Sequence, residues 1–339
     1  YGAMQARTKA MIGEWQRYID SGEVFDVAAE MMRLTLGIAG DTLFGVDLLG
    51  DAEQVGEAAS DALEILNIRG NSLLLIPTAI PTAQNRRLNR AVKTLDDVVN
   101  GVIKERHQHQ GPPKHDLLQM LMDAVDGDTG ERMNDEQLRD EVMTLLLAGH
   151  ETTAQALSWT WYLLSKSPAV QRKLRTENAA VLGDREIKVD DIPKLVFTEQ
   201  VVKEALRLYP PAWLFSRTAK EEDTIGGYTI PKGSTVMLSP WVMHRNPSLW
   251  ENPDAFDPER FSDEESKKRP RFAWFPFAAG PRMCIGWHFA MMELVTAVAT
   301  TVQNVKLTLA PGFEPEPEPT ITLRPADGVK MTVKRASPG

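Results

Sequence analysis

Residues 277–286 read Phe277-Ala278-Ala279-Gly280-Pro281-Arg282-Met283-Cys284-Ile285-Gly286, and Cys284 is the single cysteine among 339 residues. A lone cysteine makes no intrachain disulfide, so whatever chemistry it has is that of a thiol or a thiolate. Glycines and an arginine crowd around it. The apolar stretch that follows has the pattern of a helix, whose positive end would point back at the sulfur. Such a setting favours a thiolate, and a thiolate in an apolar, glycine-rich loop is a candidate axial ligand for haem iron. On residue type alone, the competing reading is an inert, buried small hydrophobe.

Outward from this loop the chain has two textures. Towards the C-terminus, the helix after Cys284 gives way to a tail, 305–334, that reads as strands around a stiff surface turn, Glu314-Pro315-Glu316-Pro317-Glu318-Pro319. Just upstream, 244–276 is rich in Pro, Asn, Asp and aromatics with little periodicity. It reads as an ordered meander in which Trp250, Phe256, Phe261, Phe272 and Trp274 need burial. Residues 213–238 alternate and turn at Gly226-Gly227 and Lys232-Gly233, which predicts short strands and hairpins.

Before Pro210-Pro211 the chain reads as helix after helix. Apolar spacing predicts helices over 3–19, from Asp26 as a cap to Gly45 as a stop, over 52–69 and over 84–109. The stretch 71–82 reads as a loop or short helix, and Gly111-Pro112-Pro113 is a break. Asn134 with Gln137 resembles a capping box and opens the longest helix, 135–165. Helices over 169–182 and 196–209 follow. The fold class is mainly α with small β-sheets, and no internal repeat divides it.

A hydrophobic content of 42% with 25% charged residues is ordinary for a globular chain long enough to bury a large core. The net charge of −9 argues against non-specific nucleic-acid binding. No run reaches the ~18 apolar residues of a membrane span; the longest, Leu73-Leu74-Leu75-Ile76, stops at Pro77. One cysteine fits a reducing compartment. The expectation is a soluble, cytoplasmic enzyme.

Three further motifs carry chemistry. Inside the longest helix lies Ala148-Gly149-His150-Glu151-Thr152-Thr153. Glycine there costs about 1 kcal/mol against alanine, is useful where something must approach the backbone, and stands beside an acid and a hydroxyl able to pass protons. A helix with a polar kink is the bland alternative. A zinc-protease reading fails, because the position four residues beyond His150 is Ala154. Glu204 and Arg207 stand three apart on a helix with little polar face, so the pair is either an ordinary solvated salt bridge or a buried one in need of partners. Arg260, in Pro258-Glu259-Arg260-Phe261, is a source of such a partner. Arg282 is suited to an acidic cofactor group. His288 reads as a solvated or core histidine.

The four motifs together, in this order, resemble the cytochrome P-450 family of haem-thiolate monooxygenases. The family's loop pattern, Phe-x-x-Gly-x-Arg-x-Cys-x-Gly, is matched by Phe277, Gly280, Arg282, Cys284 and Gly286. Its oxygen-activation pattern is matched by 148–153, its Glu-x-x-Arg pair by Glu204 and Arg207, and the third member of that network by Arg260. The resemblance covers the whole chain as one haem-thiolate monooxygenase domain, 1–339, most strongly over 135–335. It implies haem b, with Cys284 as the iron ligand, Arg282 and Arg217 on the propionates and Phe277 packed by the sulfur. Ala148 and Gly149 would lie over the haem, Gly149 leaving room for dioxygen. Thr152 would hydrogen-bond the oxygen species and Glu151 relay protons to it. Glu204, Arg207 and Arg260 would be structural.

The same resemblance implies insertion of one oxygen atom into a hydrophobic substrate, with electrons from a ferredoxin or flavoprotein reductase in what reads as a soluble bacterial protein. A pocket wall is expected from Leu145, Leu146, Ala148 and Ala212-Trp213-Leu214-Phe215, which core packing explains equally well. A peroxide-driven peroxygenase and a non-catalytic haem-binding fragment are the alternatives. Against the family's usual length, roughly a hundred residues before Tyr1 are expected to be missing, and the chain alone is then expected to hold haem weakly.

Overall fold

The computed structural model describes residues 1–70, 72, 76–109, 111–112, 114 and 116–336. The apolar run Leu73-Leu74-Leu75 and the proline break at Pro113 lie outside the described residues.

The chain opens with α1 (Gly2–Glu14) and α2 (Gln16–Ser21) where the periodicity predicts one helix. The joint is Trp15, fully buried, whose indole N–H donates to Glu30 Oε2 at 3.0 Å. The two-residue β1 (Phe25–Asp26) leads into α3 (Val27–Ala39). Asp26 caps α3 as expected, accepting from the Ala28 N–H at 3.0 Å, and it also accepts from the Val329 N–H at 2.9 Å. One carboxylate thus starts a helix and fixes a strand from the far end of the chain. After α3 the helix runs on as a π-turn, Gly40–Phe44, and stops at Gly45 with φ 61°, a conformation that glycine adopts without a Cβ clash.

Next come α4 (Ala52–Gly70), α5 (Ala83–Gln108) and the short α6 (Leu117–Asp123), which the sequence reading missed. Its signal is local: the Asp116 carboxylate accepts from the Gln119 N–H at 3.0 Å. The long helix is α7 (Asp135–Lys166), and its capping box is complete. Asn134 accepts from the Gln137 N–H at 2.8 Å, and Gln137 from the Asn134 N–H at 3.0 Å. Its first half is one-sided, whereas 153–164 are buried all round, as a helix through the middle of a core must be.

Two further helices, α8 (Pro168–Leu182) and α9 (Val196–Leu208), lead to the strands β2 (Phe215–Thr218), β3 (Asp223–Ile225), β4 (Tyr228–Ile230) and β5 (Thr235–Leu238). These pair antiparallel as β2–β5, with Arg217 opposite Val236, and as β3–β4 across Gly226-Gly227. The meander begins with α10 (Pro240–Met243) and holds α11 (Asp263–Lys268). Helix α12 (Trp287–Asn304) follows the cysteine loop, and β6 (Val305–Leu309), β7 (Pro317–Pro319), β8 (Leu323–Pro325) and β9 (Lys330–Arg335) close the chain. The main sheet has the order β1–β9–β6. The Pro/Glu run is more than a turn, since Pro317–Pro319 pair with Leu323–Pro325.

Two cores result. One gathers the buried half of α7 with α1, α3, α8, α9, α12 and the main sheet, around Trp159, Leu157, Val201, Val298 and Met331. The other packs α4, α5 and α6 on the first half of α7, around Val55, Ile65, Leu95, Leu118 and Val142. Leu146 belongs to this second core, which corrects its expected place on a pocket wall. In the meander, Trp250 and Phe261 are buried and Phe256 and Trp274 partly so. Phe272 is not: it is 53% exposed, with φ 64°, and the Arg271 guanidinium lies over its ring at 4.6 Å. Among the described residues, no helix is long and apolar enough to cross a membrane.

Candidate active site

The cysteine loop is closed by its own backbone. The Cys284 N–H donates to Phe277 O at 2.9 Å and the Met283 N–H to Gly280 O at 3.0 Å. The bend requires positive φ at Gly280 (70°) and also at Ala278 (58°), where a residue with a Cβ carries strain of about 1 kcal/mol. The loop presents Cys284 exposed, three residues before α12, with that helix's N-terminus behind it. A Cβ on Gly286 would stand 4.0 Å from Cys284 Sγ, an ordinary contact distance, so Gly286 borders the sulfur without crowding it. Both chain neighbours of the thiol are exposed apolar residues, Ile285 at 92% and Met283 at 50%. Arg282 is exposed, and Arg217 on β2 folds its guanidinium over Phe215 at 5.1 Å. Among the described residues neither arginine pairs with a carboxylate.

On α7, Ala148, Gly149 and Thr152 line the part of the helix that is not enclosed by core. A Cβ built on Gly149 meets only Leu43 Cδ1, at an ordinary 3.7 Å. Packing within the chain therefore does not demand glycine there, although it weakens the helix by about 1 kcal/mol; one buried leucine such as Leu157 offsets that with about 2 kcal/mol. The Thr152 hydroxyl donates to Ala148 O at 2.7 Å, leaving its oxygen free to accept. Glu151 does not join it. Glu151 is 8% exposed, and its Oε1 accepts from the Thr322 hydroxyl at 2.6 Å. Burial raises its pKa, against the pull of that bond and of the Arg324 charge. His150 turns inward, with Nε2 3.0 Å from Met32 O; this assigns the proton to Nε2, and burial pushes its pKa down to about 4.

Behind the loop, Glu204 and Arg207 are both completely buried, which settles the choice between a solvated and a buried pair. Arg207 Nε and Nη2 donate to the two Glu204 oxygens at 2.7 and 2.8 Å. Its remaining donors reach the carbonyls of His244, Pro253 and Ala255. Arg260 brings its Nε to 3.4 Å from Glu204 Oε1. Burial raises the Glu204 pKa above its ordinary value, against the opposing pull of Arg207, the Asp257 N–H and Arg260.

The sequence reading missed His244. Its Nδ1 lies 3.2 Å from Arg207 O, and its Nε2 accepts from the Phe275 N–H at 3.0 Å, which fixes the Nδ1–H tautomer. Burial pushes its pKa down to about 3. This neutral ring ties the Glu204–Arg207 helix to the entry of the cysteine loop. The only sequence signal was a histidine directly after an otherwise apolar short segment, Pro240-Trp241-Val242-Met243-His244.

These residues fit a haem. A soft thiol donor stands exposed between two exposed apolar residues that a flat macrocycle would cover, and two carboxylate-free arginines suit propionates. Gly149 supplies a gap that the protein itself does not use.

The comparisons agree. The family model described as Cytochrome P450 matches residues 2–333. Cyclooctatin synthase of Streptomyces melanosporofaciens is 38% identical over 302 residues, 88% of this chain and 65% of that protein. Pentalenene oxygenase of Streptomyces avermitilis is 30% identical over 339 residues, 99% of this chain and 74% of that protein. The chain thus spans about two thirds to three quarters of the length of these relatives. Among solved structures, the crystal structure of the cytochrome P450DA heme domain superposes with a TM-score of 0.89 at 31% identity, covering 100% of this chain and 73% of that one. Loop, helix motif, buried network and whole-chain similarity lead to one conclusion: this chain belongs to the cytochrome P450 family.

Proposed function

We propose that residues 1–339 act as a haem-thiolate monooxygenase domain. The observation that carries this reading is the exposed Cys284 thiol at the head of α12, in a loop that the buried network clamps through His244. Bound there, haem b supplies the redox chemistry that activates dioxygen for insertion of one oxygen atom into the substrate. Cys284 holds the iron as thiolate, with Phe277 and Gly286 shaping the space at the sulfur. Arg282 and Arg217 bind the propionates. Ala148 and Gly149, on the open part of α7, would leave room for the bound group, while Thr152 Oγ1 would position a proton that Glu151 would supply.

The substrate is a hydrophobic organic molecule. Support comes from the half-buried Leu145, Trp213, Leu214 and Phe215, and from relatives named pentalenene oxygenase and cyclooctat-9-en-7-ol 5-monooxygenase. Electrons come from a separate ferredoxin or flavoprotein reductase in the cytoplasm. The test is the carbon-monoxide difference spectrum of the reduced protein. A long-wavelength thiolate band, lost in Cys284→Ser, is the expected result; a band at the shorter, histidine-type wavelength in the parent protein refutes the assignment.

A further inference from the structure

The acid next to Thr152 faces the wrong way for its neighbour. Consecutive helical residues do not face each other, and the Glu151 carboxyl is turned instead to the turn between β7 and β8. There Thr322, 6% exposed, donates its hydroxyl to Glu151 Oε1 at 2.6 Å across 171 residues of sequence. Two observations show that the contact is built in. Trp159, eight residues along and so on the same face of α7, donates its indole N–H to Leu323 O at 3.0 Å, a second clamp on the same strand. The turn is also pinned from the other side: the Trp213 indole donates to Thr320 O at 2.9 Å, the Leu323 N–H to Pro211 O at 3.0 Å, and the Thr320 hydroxyl to Thr322 O at 2.8 Å. Beyond Thr322, Arg324 on β8 faces the carboxyl electrostatically and pairs with its cross-strand partner Glu318 at 2.7 Å, at the partly exposed rim of the hairpin.

We propose that Thr322 is the positioning residue of Glu151, holding its carboxyl to the β7–β8 hairpin so that this rim is where the acid exchanges protons with water. The inference rests on the monooxygenase reading for its purpose, not for its geometry. In the step it implies, Glu151 takes one proton from water at the rim and releases one towards Thr152; only O–H bonds break and form. Thr322 touches neither substrate nor haem. The charged group that acts on Glu151 among the described residues is Arg324, with Glu318 behind it; the neighbouring His150 is neutral and points to Met32. Ile321 stands 43% exposed between the two buried threonines, so whatever presses on this turn also bears on the acid.

The test reads the acid directly. In pH-dependent infrared difference spectra of the resting, haem-loaded protein, the Glu151 carboxyl band is assigned by its loss in Glu151→Gln. Thr322→Val keeps the shape and removes the donor that favours the carboxylate, so the Glu151 titration midpoint moves up by about one pH unit; Thr322→Ser restores it. During turnover, the fraction of electrons lost as hydrogen peroxide rises roughly threefold or more in Thr322→Val and returns in Thr322→Ser, since acid–base groups act through proton supply at the right place. An unmoved midpoint in Thr322→Val overturns the positioning, and a moved midpoint with unchanged peroxide loss overturns the proton route. If the thiolate reading itself fails, the carbon-monoxide spectrum shows it separately, and the infrared midpoint still reports on Thr322.

Discussion

The Glu204–Arg207 pair supports a quantitative prediction. Arg207→Leu removes the counter-ion of a completely buried carboxylate, which costs about 3–5 kcal/mol. It also strips the donors from the carbonyls of His244, Pro253 and Ala255, now bonded at 2.8, 2.6 and 3.0 Å, at about 1 kcal/mol each. The combined loss, about 7 kcal/mol, is between about half and all of the stability of a typical domain, about 5–15 kcal/mol. Little folded Arg207→Leu protein should accumulate. Glu204→Leu/Arg207→Leu leaves the carbonyls bare but strands no completely buried charge, since Arg260, which loses Glu204, is partly exposed, so it should be more stable than Arg207→Leu by about 3 kcal/mol. Urea unfolding in the cold, followed by tryptophan fluorescence, measures both, and Trp250 under the Arg207 guanidinium at 5.0 Å is a local reporter. If the single and the double variant unfold at the same urea concentration, the stranded charge is not the dominant cost and the reasoning is wrong.

Two pH dependences follow from buried groups. His150 and His244 are neutral in the fold, at about 4 and about 3 against an ordinary 6.5, so the unfolded chain takes up their protons first as pH falls. Their contribution to stability is complete above 6.5 and declines below it, by about 2 kcal/mol per histidine near pH 5; His244→Asn should remove about half of that slope, and an unchanged slope contradicts it. Glu293 on α12 has the opposite sign. Its Oε1 is buried without a partner, and burial pushes the carboxyl well above 4.5. The fold keeps it protonated while the unfolded chain releases the proton, so stability is full below 4.5 and declines as pH rises. Glu293→Gln should raise the melting temperature near pH 8 far more than near pH 5; an equal shift at both would show that ionisation is not involved.

Features that depend on neighbours a few residues away were legible in the residues alone. Asp26, Asn134 with Gln137, and Gly45 mark helix ends because caps and left-handed stops are made within about one turn. The cysteine loop was legible for the same reason: Cys284 is set by Phe277, Gly280 and Gly286, all within ten residues of sequence. Tertiary structure decided the rest. Whether Glu204 and Arg207 were buried depended on carbonyls 37 to 48 residues away. Phe272, expected inside, is exposed, and Leu146, expected at the pocket, lies in the second core, because burial depends on what packs opposite. His244 gained its role only when Phe275 and Arg207 met on either side of its ring. Glu151 could be read as an acid, but its direction was set by Thr322, 171 residues on. A hydrogen bond across that distance leaves no periodicity or spacing in the chain to be read.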